Sequence, residues 1–212
     1  MTTQYLFYIL FGYLSGSVLY GYLLPKYIKK IDVTKESPDQ NPGVANAFLC
    51  AGAPIGFCAL MLELLKGYLP VHAAMHVLNP RHLIFGLVLA APVLGHAFPF
   101  WNPKMGGKSI AVSFGVLLGL VPYWRPVLIL AVCYLMFSIV IVIRPHFFRS
   151  VVTFAIFWGM VIIKRGPLGI TAGTGILSFV VIWKHLVKYQ NERLEITFPG
   201  RQEKYEYREY NI

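Results

Sequence analysis

Two short stretches carry residue types suited to holding an anion. The first is NPGVAN, Asn41 to Asn46, which leads directly into an apolar run. Gly43 permits a close backbone approach, and Asn41 or Asn46 can cap a helix or hydrogen-bond an anion. The second is GGKS, Gly106 to Ser109, which again precedes an apolar run. Backbone N–H groups at a helix start attract negative charge. Gly106 and Gly107 expose such groups, Lys108 adds a point charge and Ser109 a hydroxyl. GGKS looks like the end of a nucleotide P-loop, but that pattern needs a glycine where this chain has Asn102, and no strand pattern precedes it. Each stretch also has a plainer reading: an Asn-capped turn for the first, a flexible turn with a snorkelling lysine for the second. Two such helix starts on one face of a small bundle favour a shared phosphate or carboxylate site.

Other candidates lie inside apolar runs. Glu63 and Lys66 are three residues apart and share a helix face. Ionisable groups in a membrane segment usually face the bundle interior, and this pair is either purely structural or part of a pocket. His96, just before GGKS, is either a hydrogen-bonded packing residue or a pocket residue. His72, His76 and His82 receive no role. Cys50, Cys58 and Cys133 show no CxxC or metal-ligand spacing and read as packing residues, so no metal is expected. Gly12, Ser15, Gly16, Ser17 and Gly21 fit close helix packing through small residues.

The elements that position these residues must be membrane helices. The chain has 212 residues, is 57% hydrophobic and 13% charged, and has a mean hydropathy of +0.60. Soluble domains carry about 25% charged residues. Seven apolar segments can be marked, at residues 5–24, 47–78, 83–100, 110–121, 126–143, 151–163 and 168–183. Several fall short of the ~20 residues that span a bilayer, which thinning, snorkelling or oligomerisation can accommodate. The expected fold is an all-α integral membrane protein, a bundle of about seven transmembrane helices over residues 1–190, with a polar, solvated tail at 191–212. The N-terminus has no basic region, so the first segment is expected to remain as a span.

Charge then orients the bundle. The net charge of +10 is expected to reflect basic cytoplasmic loops and attraction to anionic lipid or substrate rather than a nucleic-acid partner. One side collects Lys26, Lys29, Lys30, Lys35, Lys104, Lys108, Arg144, Arg149 and six basic residues from Lys184 onward, whereas the other holds Arg81, Arg125, Lys164 and Arg165. The positive-inside rule places the N-terminus outside and the C-terminus in the cytoplasm. NPGVAN, GGKS, the loop at residues 144–150 and the tail then share the cytoplasmic face.

These features, in this order, resemble the acyl-phosphate-dependent glycerol-3-phosphate acyltransferases of bacterial membranes. YLSGSVLYGYLLPK is similar to that family's opening helix, and Asp32 to the aspartate that begins its first motif. NPGVAN is similar to its Asn-x-Gly-Ala-Thr-Asn, and LELLKGYLP to its Asp-x-x-Lys-Gly helix with Glu63 in the acidic place. VLGHAFPF followed by GGKSIAV resembles its Gly-His-x-x-Pro and Gly-Gly-Lys-Gly-x-Ala-Thr signature, and WKHL its Arg-His pair. The resemblance runs from about Tyr13 to Lys204.

It implies seven spans, a cytoplasmic phosphate site, and transfer of a fatty acyl group from acyl phosphate to the 1-hydroxyl of sn-glycerol 3-phosphate, giving lysophosphatidic acid in a bacterial cell membrane. Acyl phosphate is an activated mixed anhydride, so charge stabilisation and positioning can do most of the work, without a cofactor. The implied phosphate contacts are Asn41, Gly43, Asn46, Gly106, Gly107, Lys108 and Ser109, with Lys66 and His96 lining the pocket. Lys108, Ser150 and His185 are the implied catalytic residues. The other large glycerophosphate acyltransferase class uses a His-x-x-x-x-Asp pair, and no histidine here has an aspartate five residues later.

The chain departs from the family pattern in several places. PDQN replaces Gly-Ser-Gly-Asn, Ala45 a threonine, Leu49 a basic residue, Met105 a lysine, Ser109 a glycine, Phe147 a serine and Lys188 an asparagine. A lost cation and lost hydroxyls remove charge-assisted hydrogen bonds of roughly 1.5–3 kcal/mol each. Lys104, Arg149 and Lys188 are the candidates to restore charge. Three other readings follow: a family member that binds a phosphorylated lipid or metabolite without transfer, one with a different acceptor, or a small transporter.

Overall fold

The computed structural model describes residues 2–189 and 193–198. The first apolar segment forms α1 (Thr2–Gly16), breaks, and resumes as α2 (Tyr20–Leu24) and a π-helical turn (Pro25–Lys29). The break follows from its polar residues. Ser17 Oγ donates to the Tyr13 carbonyl at 2.8 Å, and Lys66 Nζ donates to the freed Val18 carbonyl. A short α3 (Val33–Glu36) is capped by Asp32, whose carboxylate accepts from the Thr34 N–H at 3.1 Å.

The second apolar segment divides into α4 (Val44–Ala51) and α5 (Ala53–Met75). Gly52, at φ +87°, supplies the left-handed residue between them, and Pro54 suits the first turn of α5. Then come α6 (Phe85–Ala97), α7 (Ile110–Leu118), α8 (Arg125–Leu135) with a π-helical extension (Met136–Val140), α9 (His146–Ile163) and α10 (Leu168–Val187).

A two-stranded ribbon differs from the all-α expectation. Strand β1 (Val142–Arg144) pairs antiparallel with β2 (Glu195–Thr197), Ile143 opposite Ile196. The residues just past α10 therefore return to the loop before α9. Ile143 is buried there, which draws the pairing together where the sequence reads as a solvated tail. Of the tail, residues 191, 192 and 199–212 lie outside the described residues.

Central α6 is apolar nearly all round, and most of its residues are buried, from Phe85 to Ala97. That is the pattern of a helix enclosed by others. It packs against α1 and α10 most extensively, and against α5 and α7. Small residues allow this. A Cβ on Gly16 would lie 2.1 Å from the Pro92 carbonyl oxygen, and one on Gly95 2.1 Å from that of Tyr13.

The outer surface is apolar. Leu6, Leu10 and Leu14 on α1, Phe57, Met61, Leu65 and Leu69 on α5, and Leu128, Val132 and Leu135 on α8 are exposed at helical spacing. Among the described residues, four helical stretches are long and apolar enough to cross a membrane: Thr2–Lys29, Ala53–Met75, His146–Ile163 and Leu168–Val187. An apolar belt on such helices needs lipid rather than water, and the chain is a multi-pass membrane protein. Phe85–Ala97 and Arg125–Val140 are shorter, and the nine residues of α7 rise only ~14 Å.

The close approach of α1 and α6 predicts a contrast between two glycines. Gly95→Val should lower the melting temperature of the detergent-purified protein, with an overpacking cost of about 1–3 kcal/mol or more. Gly159→Ala, where no atom lies within 4 Å of the new Cβ, should leave it unchanged or raise it.

Candidate functional site

Three buried ionisable side chains tie the bundle together beneath the site. Lys66 Nζ lies 2.7 Å from Glu63 Oε2, and His96 Nδ1 lies 3.0 Å from the same oxygen. His96 Nδ1 is also 2.9 Å from Lys66 Nζ. Glu63 is fully buried, and its Oε1 accepts from the Gly21 N–H at 3.4 Å. Ser15 Oγ donates to the Lys66 carbonyl at 2.9 Å. The cluster therefore clamps α5 to α6 and to the break after α1.

The GGKS stretch is pressed onto the C-terminal end of α6. A Cβ on Gly106 would lie 1.7 Å from the Ala97 carbonyl oxygen, and one on Gly107 2.3 Å from His96 Nε2. The Gly107 N–H donates to the His96 carbonyl at 3.1 Å, and is thus directed at α6 rather than exposed for an anion. Both glycines serve close backbone approach at this point. Lys184 Nζ donates to the Ala97 carbonyl at 3.0 Å, placing a cation at the α6 C-terminus. Ser109, left-handed at φ +62°, turns the chain into α7, and its hydroxyl donates to the Val93 carbonyl at 3.2 Å. Lys108 is thereby left facing a cavity.

That cavity has a volume of about 850 Å³. Its polar end is lined by Asp39, Asn41 and Asn46 from the NPGVAN side, by Lys108 and Ser109, and by His146 and Lys188. Its apolar end runs along one face of α7, through Ile110, Ala111, Phe114 and Leu118, with Leu60 and Leu64 of α5 and Val127 of α8. Glu63 and His96 reach its wall, which links it to the buried cluster.

Lys108 Nζ lies 2.9 Å from Asp39 Oδ2. Asn46 Nδ2 donates to Asp39 Oδ1 at 2.6 Å and to the Asn41 carbonyl at 2.7 Å. The Asn41 N–H donates to Asp39 Oδ1 at 3.3 Å. Burial pushes the Asp39 carboxyl up, but the hydrogen bonds from Lys108 and Asn46 outweigh it and hold the group below the usual carboxylate range. Burial pushes the Lys188 ammonium down, opposed by Asp39 and reinforced by Lys108.

Ser150 and His185 stand one layer behind the wall, both against His146. Ser150 Oγ lies 3.4 Å from His146 Nδ1 and accepts from the Tyr134 hydroxyl at 3.1 Å. The His185 ring is stacked on that of His146, centroids 5.7 Å apart, and its Nδ1 lies 2.8 Å from the Val181 carbonyl oxygen. Of the residues singled out in the sequence, Asn41, Gly43, Asn46, His96, Lys108 and Ser109 line the cavity, whereas Gly106, Gly107, Lys66, Ser150 and His185 lie around it. Asp39 and His146 also line the cavity, and neither belongs to the NPGVAN or GGKS stretch. Asp39 lies in the PDQN loop and His146 opens α9, both on the basic face, and that placement is the signal that marks them. Phe147, where a serine was expected, packs on Tyr189 with ring centroids 4.5 Å apart.

The glycerol-3-phosphate acyltransferase family profile matches residues 6–193. The chain belongs to the glycerol-3-phosphate acyltransferase family. Curated family members include a glycerol-3-phosphate acyltransferase from Myxococcus xanthus, 40% identical over 114 residues, covering 54% of this chain and 59% of that one. Another, from Hydrogenobaculum, is 27% identical over 177 residues, covering 82% of this chain and 86% of that one. The fold is shared with crystal structures of PlsY (YgiH), an integral membrane glycerol 3-phosphate acyltransferase. Its glycerol 3-phosphate form matches at a TM-score of 0.76 and 23% identity, over 86% of this chain and 88% of that one. Its lysophosphatidic acid form matches at 0.72 and 22%, over 85% and 87%.

The buried cluster makes a prediction particular to this site. Glu63→Gln leaves Lys66 without its counter-charge and should destabilise the protein by about 3–5 kcal/mol in an unfolding assay. Adding Lys66→Met should recover a large part of that loss, since the pair rather than either charge is what the bundle tolerates.

Proposed function

We propose that the chain transfers a fatty acyl group from acyl phosphate to the 1-hydroxyl of sn-glycerol 3-phosphate, releasing inorganic phosphate and lysophosphatidic acid. The observation that carries this is a single cavity joining a cationic, asparagine-lined end to an apolar track along α7. A phosphate that carries an alkyl chain has that shape and polarity. The related PlsY structures, in glycerol 3-phosphate and lysophosphatidic acid forms, support this reading.

In this reading the acyl chain lies along Ile110, Phe114 and Leu118. Lys108, Asn41 and Asn46 hold phosphate oxygens, with Gly43 allowing close approach, and Lys188 supplies the second cation. The acceptor hydroxyl attacks the acyl carbonyl carbon. A C–O bond forms there, the bond from that carbon to the phosphate oxygen breaks, and the hydroxyl proton leaves. His146, steadied by Ser150 and His185, stands at the wall to take that proton. Lys108 stabilises charge on the departing phosphate, the role that preorganised donors fill most effectively. The bundle has seven spans, with the N-terminus outside, the C-terminus in the cytoplasm and the cavity open to the cytoplasm of a bacterial-type cell.

The test supplies purified protein in lipid with palmitoyl phosphate and glycerol 3-phosphate. Lysophosphatidic acid is expected, and Lys108→Ala should cut the rate by about 100-fold or more. Saturable, Lys108-dependent binding without product would instead mark a non-catalytic binder. Leu118→Trp, which shortens the apolar track, should shift the preferred donor from palmitoyl to a shorter acyl phosphate.

A further inference from the structure

Asp39 holds the donors that a phosphate would need. Its two carboxylate oxygens accept from Lys108 Nζ at 2.9 Å, from Asn46 Nδ2 at 2.6 Å and from the Asn41 N–H at 3.3 Å. Lysine, side-chain amide and backbone amide thus converge on one anion at the polar end of the cavity, and that anion belongs to the chain. Asp39 lies within PDQN, which runs directly into NPGVAN. It is half-buried, with its side chain 36% exposed, whereas Lys108 is 16% exposed. An arriving phosphate therefore meets a like charge in a partly desolvated place, where repulsion is poorly screened.

We infer that Asp39 is a specificity-determining residue: a resident anion that a ligand's phosphate must displace from Lys108, Asn41 and Asn46. The inference rests on reading those three residues as phosphate donors. A tethered carboxylate competes at high effective concentration. Inorganic phosphate offers only the headgroup contacts and is disfavoured against it. A phosphate carrying an acyl chain adds the apolar burial along Ile110, Phe114 and Leu118 and displaces Asp39. At these three donors the chain-bearing phosphate is therefore favoured over inorganic phosphate, by weakening of the headgroup contribution alone.

Equilibrium binding of inorganic phosphate to the full-length protein in detergent tests this. The variants are Asp39→Asn, Asp39→Ser and Lys108→Gln, alone and combined, each checked for native melting behaviour. Asp39→Asn keeps the shape of the side chain and Asp39→Ser removes its bulk. The wild type should bind inorganic phosphate weakly, and both Asp39 variants should bind it about 10- to 100-fold more tightly, the worth of one charge-assisted hydrogen bond. Lys108→Gln should abolish that gain. Equal or weaker phosphate binding in folded Asp39→Asn and Asp39→Ser, with Lys108→Gln still weakening binding, would overturn the resident-anion role and leave the phosphate site standing. Phosphate binding indifferent to Lys108→Gln in every background would overturn the phosphate site and this inference with it.

Discussion

A carboxylate enclosed in an apolar bundle is tolerable only when it is paired and hydrogen-bonded, and Glu63 is where that constraint acts. Its partners come from three places: Lys66 one turn away, His96 near the end of α6, and the Gly21 N–H beyond the break after α1. Satisfying one buried charge thus fixes the relative positions of α1, α2, α5 and α6. It also fixes the end of α6, on which the 106–109 loop is pressed. The direction of Lys108 follows from that packing. The site is positioned by a polar network one layer below it, and the network owes its strength to the low dielectric around it.

Above that layer the cavity combines two environments that ordinarily exclude each other. The loops of the basic face supply amides and cations, while α7 supplies a continuous apolar face only ~14 Å long. Helix α7 begins at the polar boundary and turns one apolar face, Ile110, Phe114 and Leu118, to the cavity. His146 stands in the wall of the polar end, with Ser150 and His185 behind it.

Much of this was legible in the sequence, and the parts that were not have physical causes. Apolar runs and small residues showed which segments become helices and where they approach closely, as at Gly16 against Pro92. Gly-Gly-Lys-Ser and Asn41 to Asn46 pointed to the loops that meet at the cavity, and the spacing of Glu63 and Lys66 to their pairing. Hidden from the sequence was what the glycines face. Gly107 directs its N–H at the His96 carbonyl, a contact made by residues far enough apart that spacing alone does not reveal it. The breaks at Ser17 and Gly52 were hidden because hydropathy does not register a serine bonding back to its own helix or a left-handed glycine. The β1–β2 ribbon depends on a long return of the chain, and Asp39 and His146 on tertiary proximity, which no local pattern encodes.

The central claim is that donors from the loops before α4 and α7 meet around one phosphate while α7 receives its alkyl chain. A structure of the full chain in lipid with a non-hydrolysable acyl phosphate analogue tests it most directly. The account predicts phosphate oxygens about 3 Å from Lys108 Nζ and Asn46 Nδ2, and the chain lying against Phe114 and Leu118. A phosphate bound away from Lys108, or an acyl chain running outside the bundle along the lipid face of α5, would contradict it.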